Sequence, residues 1–153
     1  MHEFKEAIII ESPLDQVWEV LADIGTIATW NPAVVASKLT SEGAVSKGAT
    51  RHCDLSGKKY LKEEVVNFNP PHSITFSIKE SNLPFEQAHI RFTLFHNSGL
   101  TKVTVSPLYE LKYGFLGDLL NSLFVRRIYQ KGMKALLHGL KDHVETGSKV
   151  IME

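Results

Sequence analysis

Apolar and polar residues alternate through the middle of this chain and recur at helical spacing at both ends. Residues 3 to 11, EFKEAIIIE, read as a strand, with Phe4, Ile8 and Ile10 on one parity. Ser12-Pro13-Leu14-Asp15 predicts a helix start: Ser12 as cap, Pro13 in the first turn, Asp15 returning to the Ser12 backbone. Leu14, Val17, Trp18 and Leu21 form its buried stripe, and Gly25 suits a left-handed end. A second short helix is predicted over Thr26 to Trp30, stopped by Asn31-Pro32.

Six strands follow, near 34–42, 49–55, 59–68, 73–80, 87–97 and 101–112. Their separators are turn-like: Glu42-Gly43, Ser56-Gly57, Asn69-Pro70-Pro71, Asn82-Leu83-Pro84 and Asn97-Ser98-Gly99. Connections this short make antiparallel neighbours, because a parallel crossover needs a dozen or more residues. Alternation assigns the faces. Ile74, Phe76 and Ile78 oppose Ser73, Thr75 and Ser77; Ile90, Phe92 and Leu94 oppose His89, Arg91 and Thr93; Val103, Val105 and Tyr109 oppose Lys102, Thr104 and Glu110. One face is apolar and the other wet, as in a sheet covered on one side.

From Gly114 to Thr146 no proline interrupts a long helical pattern. Tyr129, Met133, Leu136, Leu140 and Val144 share one face of its second half. Leu116, Leu119, Leu120 and Leu123 share a face of its first half. At about 100° per residue the two faces differ by roughly 120°. Such a phase change fits a C-terminal half clamped on a sheet and an N-terminal half bordering a cavity, a ligand or a partner. It fits equally a kink or two short helices, broken near 124–127. The whole order predicts one α+β domain over residues 1–153: a curved antiparallel sheet of about seven strands wrapped round a long C-terminal helix, with two short helices after the first strand. A strongly curved sheet cannot lie flush on a helix along its length, so a gap between them is expected.

Composition narrows the classes. Lys plus Arg and Asp plus Glu balance at 17 each, which removes the broad attraction expected of a nucleic-acid binder or of a protein on an anionic membrane. The local cluster Arg126-Arg127, Lys131 and Lys134 reads as a solvated helix face. Cys53 is the single cysteine, so neither an intramolecular disulfide nor a multi-cysteine metal site arises. Among seven histidines no HExxH occurs, and His138 and His143 fall on different sides of a helix. Neither metal nor cofactor is implied, and no nucleophile–base–orienter set assembles. The N-terminal apolar run, Ala7 to Ile10, is too short for a signal peptide or a membrane span, and cytoplasm is the default compartment.

The motifs IIIESPLDQVWEVLADI with WNP, GATRHCDLSGKKYLKEEVVNFNPPHSITFSI, and GFLGDLLNSLFVRRIYQKGMKALLHGLKDHVETG occur in an order that resembles the START/SRPBCC superfamily. Within that helix-grip fold, the chain is most similar to the polyketide cyclase/dehydrase-like branch. The resemblance implies a cavity between sheet and long helix that takes a hydrophobic ligand. It puts Arg51 and Glu63 where the family pattern often has an Arg and a Glu on adjacent strands. An ion pair there orients a polar ligand head or holds a catalytic water; the alternative is a purely structural pair. It places Tyr109 and Tyr113 near the cavity mouth.

The expected ligand-binding residues are therefore Trp30, Arg51, Glu63, Phe76, Phe92, Tyr109, Tyr113, Leu116, Leu120 and Phe124, with Arg51, Glu63 and Tyr109 as the catalytic candidates. Carriage of a lipid, polyketide-like or isoprenoid molecule comes first. A cyclase or dehydratase acting on a similar ligand is the alternative. A protein-binding domain of the co-chaperone kind is a third reading, for which the pattern marks no large exposed apolar patch. A homodimer contact through Leu116, Leu119 and Leu123 also fits the phase change.

Overall fold

The computed structural model describes residues 1–147. The predicted domain runs to Glu153; its last six residues lie outside the described ones. The strands are β1 (His2–Glu3), β2 (Glu6–Ile10), β3 (Val34–Leu39), β4 (Thr50–Leu55), β5 (Lys59–Asn69), β6 (Ser73–Ser81), β7 (Phe85–Asn97) and β8 (Leu100–Leu111). Helix α1 (Leu14–Ala22) and a 3₁₀ segment (Ile24–Thr29) link β2 to β3, and the chain ends in α2 (Gly114–Leu120), a π turn (Asn121–Val125) and α3 (Arg126–Thr146). This is the α+β helix-grip architecture: one antiparallel sheet in the order β1-β8-β7-β6-β5-β4-β3, with β2 also on β8, and a long C-terminal helix.

Strand 3–11 is divided in two. Its partner β8 carries Pro107, whose carbonyl accepts from the Phe4 N–H at 3.4 Å. Pro107 has no N–H to return the bond, so regular pairing lapses between Glu3↔Leu108 and Glu6↔Val105. The start of α1 also differs from expectation. Pro13 is the N-cap, and the Ser12 hydroxyl donates to the Gln16 side chain at 2.9 Å instead of capping a backbone N–H. Gly25 does not end α1 in a left-handed turn. It sits inside the 3₁₀ segment, where a Cβ would meet the Leu39 backbone nitrogen at 3.0 Å.

The core lies where alternation puts it. Ile74, Phe76, Phe92, Leu94, Val103 and Val105 are buried on the concave face of the sheet. They pack against α1 and α3 through Val17, Leu21, Leu136, Leu137 and Leu140. A smaller cluster, Phe4, Ala88, Tyr109 and Leu111, receives Phe85, Tyr129 and Met133 at the other end of the sheet. Register shifts bend the sheet: β5 slips against β6 at Lys62/Glu63 and again at Val65/Asn67, and β3 slips against β4 at Val34/Ala36. Each extra residue kinks its strand and raises its twist.

The phase change in the last helix has a definite cause. Leu120, Val125 and Arg126 all keep right-handed helical dihedrals, so the helix is neither kinked open nor split into two. The π turn adds about one residue to a turn, which rotates everything beyond it by about 100°. Behind it, Tyr129, Met133, Leu136 and Leu140 meet the core. Ahead of it, Leu116, Leu119 and Leu123 stay exposed. The helix there turns Gly117 and Asn121 inward: a Cβ on Gly117 would lie 2.3 Å from the Lys112 carbonyl oxygen, and Asn121 accepts a short hydrogen bond from the Tyr109 hydroxyl. A large exposed apolar patch therefore exists, contrary to the sequence expectation, because spacing marks a stripe as apolar without saying what covers it. No helix among the described residues is long and apolar enough to cross a membrane.

Candidate functional site

Between the bent sheet and α3 lies a cavity of about 430 Å³. That volume falls in the usual range for small-molecule sites. Its wall is mostly apolar: Leu61, Ile78, Ile90 and Leu111 from the sheet, with Val125, Met133 and Leu136 from the helix. Three of the exposed lining residues, Lys59, Pro84 and Ile128, mark an opening between the β4–β5 and β6–β7 turns and the start of α3; Ala33, before β3, is also exposed.

One buried ion pair is built into this wall. Arg51 on β4 pairs in register with Glu63 on β5, and both are only 3% exposed. The Arg51 Nε donates to Glu63 Oε1 at 3.0 Å, and one Nη donates to the Ile24 carbonyl at 3.2 Å. The guanidinium carbon lies 4.0 Å from the Phe76 ring centre, stacked over its face. Cys53, two residues along β4, brings its sulfur to 3.9 Å from the same Glu63 oxygen. The other carboxylate oxygen, Oε2, has no hydrogen-bond partner among the described residues.

Tyr129 faces this group from α3. Its ring packs on Phe4, Phe85 and Tyr109, while its hydroxyl has no hydrogen-bond partner among the described residues. Burial pushes that hydroxyl well above the ordinary tyrosine range, with the Glu63 charge adding to the effect. The hydroxyl therefore stays protonated and can donate. Burial likewise pushes the Cys53 thiol up to about 12, against a smaller opposing pull from Arg51. A thiol held that firmly in its neutral form is a packing group and not a nucleophile. No cluster of three metal-ligating side chains occurs among the described residues.

The ten expected ligand-binding residues separate into two sets. Arg51, Glu63, Phe76 and Phe92 line the cavity. Six lie elsewhere. Trp30 is buried in the main core, its indole N–H without a partner among the described residues, while its neighbours Ile27 and Asn31 reach the wall. Tyr109 is fully buried beneath Tyr129, bonded to Asn121. Tyr113 points outward because the reversal from β8 into α2 holds it in the left-handed region at φ 76°. Leu116, Leu120 and Phe124 are exposed, on the side that the π turn rotates away from the sheet. Sequence reasoning did not single out Phe85 and Tyr129. Leu83-Pro84 masked the strand start at Phe85, and Tyr129 read as one more residue of an apolar stripe. The signal available was its hydroxyl, the one hydrogen-bonding group among Tyr129, Met133, Leu136, Leu140 and Val144.

The sequence profile of the family described as polyketide cyclase / dehydrase and lipid transport matches residues 1–145. The chain belongs to this family. It falls within the START/SRPBCC superfamily. No curated protein matches it in sequence. Among solved structures, a protein of Thermus thermophilus superposes with a TM-score of 0.80 at 20% identity, covering 96% of this chain and 99% of that one. A START superfamily protein of Mycobacterium smegmatis gives a TM-score of 0.80 at 14% identity, covering 97% and 100%. The di-domain ARO/CYC BexL of the BE-7585A biosynthetic pathway gives 0.77 at 19% identity, covering 95% of this chain and 47% of that one. Likeness at these identities shows the fold and leaves the chemistry to the family's cavity.

Proposed function

We propose that this family member binds and carries a hydrophobic small molecule that bears one hydrogen-bonding polar group. The observation that carries the reading is a carboxylate oxygen without a partner, Glu63 Oε2, on a buried side chain set in an apolar wall opposite the free Tyr129 hydroxyl. That oxygen opens on the cavity and is not sealed inside the protein, as the Trp30 indole nitrogen is, so a ligand hydroxyl can reach it; donating to Glu63 and accepting from Tyr129, it gains about 1.5–3 kcal/mol from the bond to the charged group. The remaining wall is mostly apolar, with Asn31 and the rim residue Lys59 as its other polar side chains, so the rest of the molecule is largely greasy. Lipid, polyketide-like and isoprenoid bodies all meet that description.

Gly132 supplies the test. It lines the cavity, and a Cβ added there meets nothing within 4 Å. Gly132→Phe should fill part of the space while leaving the helix intact. With N-phenyl-1-naphthylamine as probe, the wild type should show a saturable fluorescence rise at one site. The variant should bind at least about tenfold more weakly and melt no lower, since a helical glycine gains from replacement. Equal binding by the two proteins would remove the cavity from consideration.

A second reading, cyclisation or dehydration of such a ligand, is favoured by the same Glu63 oxygen acting as a proton acceptor inside a mostly apolar cavity. Glu63→Gln keeps the shape of the side chain and removes the base. With a polyketide-like aromatic precursor as trial substrate, catalysis predicts turnover lowered by at least about 100-fold with binding retained. Turnover by the wild type that persists in Glu63→Gln excludes this residue as the base.

A further inference from the structure

A strip of apolar side chains runs unshielded from the start of α2 into the first turn of α3. Phe115, Leu116, Leu119, Leu123, Phe124 and Ile128 are between 46% and 83% exposed. Contiguous exposure on this scale marks an interaction surface in a folded protein. The strip exists because the π turn lets α3 grip the sheet while α2 keeps its own apolar face outward.

Charge identifies the partner. Arg126, Arg127, Lys131 and Lys134 are exposed beside the strip, and no Asp or Glu occurs between Asp118 and Asp142. Arg127 follows Phe124 by three positions and Lys131 follows Ile128 by three, which puts each cation next to an apolar side chain on the outer side of the helix. The one acid within the strip, Asp118, is held by His2 at 3.0 Å. The chain as a whole carries no net charge, so this face is a local concentration of positive charge. A second copy is a poor occupant. A two-fold contact sets the same patch against itself, and four cations would then face four cations without an acid to answer them.

Position supports the same partner. Ile128 belongs both to the strip and to the rim of the cavity opening, and Val125 and Tyr129 beside it form the wall. Whatever covers the strip therefore lies against the opening. We infer that the strip docks on the surface of an anionic lipid bilayer. Its leucines and phenylalanines enter the headgroup region and its cations meet the lipid phosphates. The inference goes beyond ligand carriage and stands without it, because docking needs no occupied cavity.

Co-sedimentation of the full-length protein with vesicles tests it. Vesicles of phosphatidylcholine with roughly one-third phosphatidylglycerol should pull the protein down. Pure phosphatidylcholine, or salt raised to about 0.5 M, should weaken the association at least about tenfold. Phe124→Asp should abolish it, and Arg127→Glu with Lys131→Glu should lower it at least about tenfold. These side chains are exposed, so circular dichroism should show an unchanged fold. Sedimentation velocity without lipid should show a monomer. Three outcomes overturn the inference: no association with anionic vesicles, association that survives Phe124→Asp, or a lipid-free dimer that Phe124→Asp dissolves. The last would mean that a second copy covers the strip after all.

Discussion

Arg51→Met is expected to destabilise the protein by about 3–5 kcal/mol, although it removes little bulk. The arginine answers a carboxylate that is 3% exposed, at 3.0 Å. Without it the Glu63 carboxyl is left buried in an apolar wall with no cation to answer it, and the Ile24 carbonyl loses a donor. Arg51 also stacks on Phe76, a contact that methionine replaces in area but not in charge. In a domain of this size the loss corresponds to a fall in Tm on the order of 10 °C. The informative comparison is the double variant Arg51→Met/Glu63→Leu. Removing both charges deletes the desolvation penalty together with the attraction, so most of the lost stability should return. Denaturant melts of wild type, single and double variants measure this directly. A single variant as stable as the wild type would show that Glu63 does not depend on Arg51, and the polar centre of the cavity would lose its physical basis.

The family pattern pointed to that pair, while the two-residue side-chain period alone left the register open between Glu63 and Glu64. The turn is Ser56–Lys58, one residue longer than Ser56-Gly57, and it sets Arg51 opposite Glu63. The inward set Ile74, Phe76, Ile90, Phe92, Val103 and Val105 was legible by the same period. Features that depend on the partner of an element were not. The bulges between β5 and β6, one at Lys79 and one at Val66, leave no mark in the alternation that one strand shows by itself, yet they bend the sheet and open the cavity. In the last helix the phase change was visible, but a π turn, a kink and a chain break all produce it. Only backbone geometry separates them. Leu116, Leu120 and Phe124 were expected at the cavity because an apolar stripe normally faces something apolar. Here Gly117 and Asn121 take the inward side, since α2 lies so close to the end of β8 that only a glycine fits at position 117. Trp30 misled for the opposite reason: a large aromatic beside a turn suits a ligand wall as well as a core, and it is the core that closes over it.

The clamp that holds the helix on the sheet makes a second large effect testable. Gly132 and Gly139 lie on the same helix, two turns apart, and intrinsic propensity treats them alike: alanine should gain up to about 1 kcal/mol at either. Their surroundings differ completely. A Cβ on Gly132 meets nothing within 4 Å, so Gly132→Ala should raise Tm by about 2–4 °C. A Cβ on Gly139 would sit 1.9 Å from the Trp30 carbonyl oxygen and 3.2 Å from Cδ of Pro32. The obstacle at Trp30 is backbone, which cannot rotate aside, so α3 must lift away from the segment that precedes β3. Lifting it separates Leu136, Leu137 and Leu140 from the core they fill. The propensity gain is then overwhelmed, and Gly139→Ala should lose about 2–3 kcal/mol. The same displacement should widen the cavity, because Leu136 belongs to both core and wall. Thermal melts of the two variants side by side check the contrast. A gain at both positions would mean that the helix is not seated on Trp30, and the gap beneath it would no longer be a fixed feature of the fold.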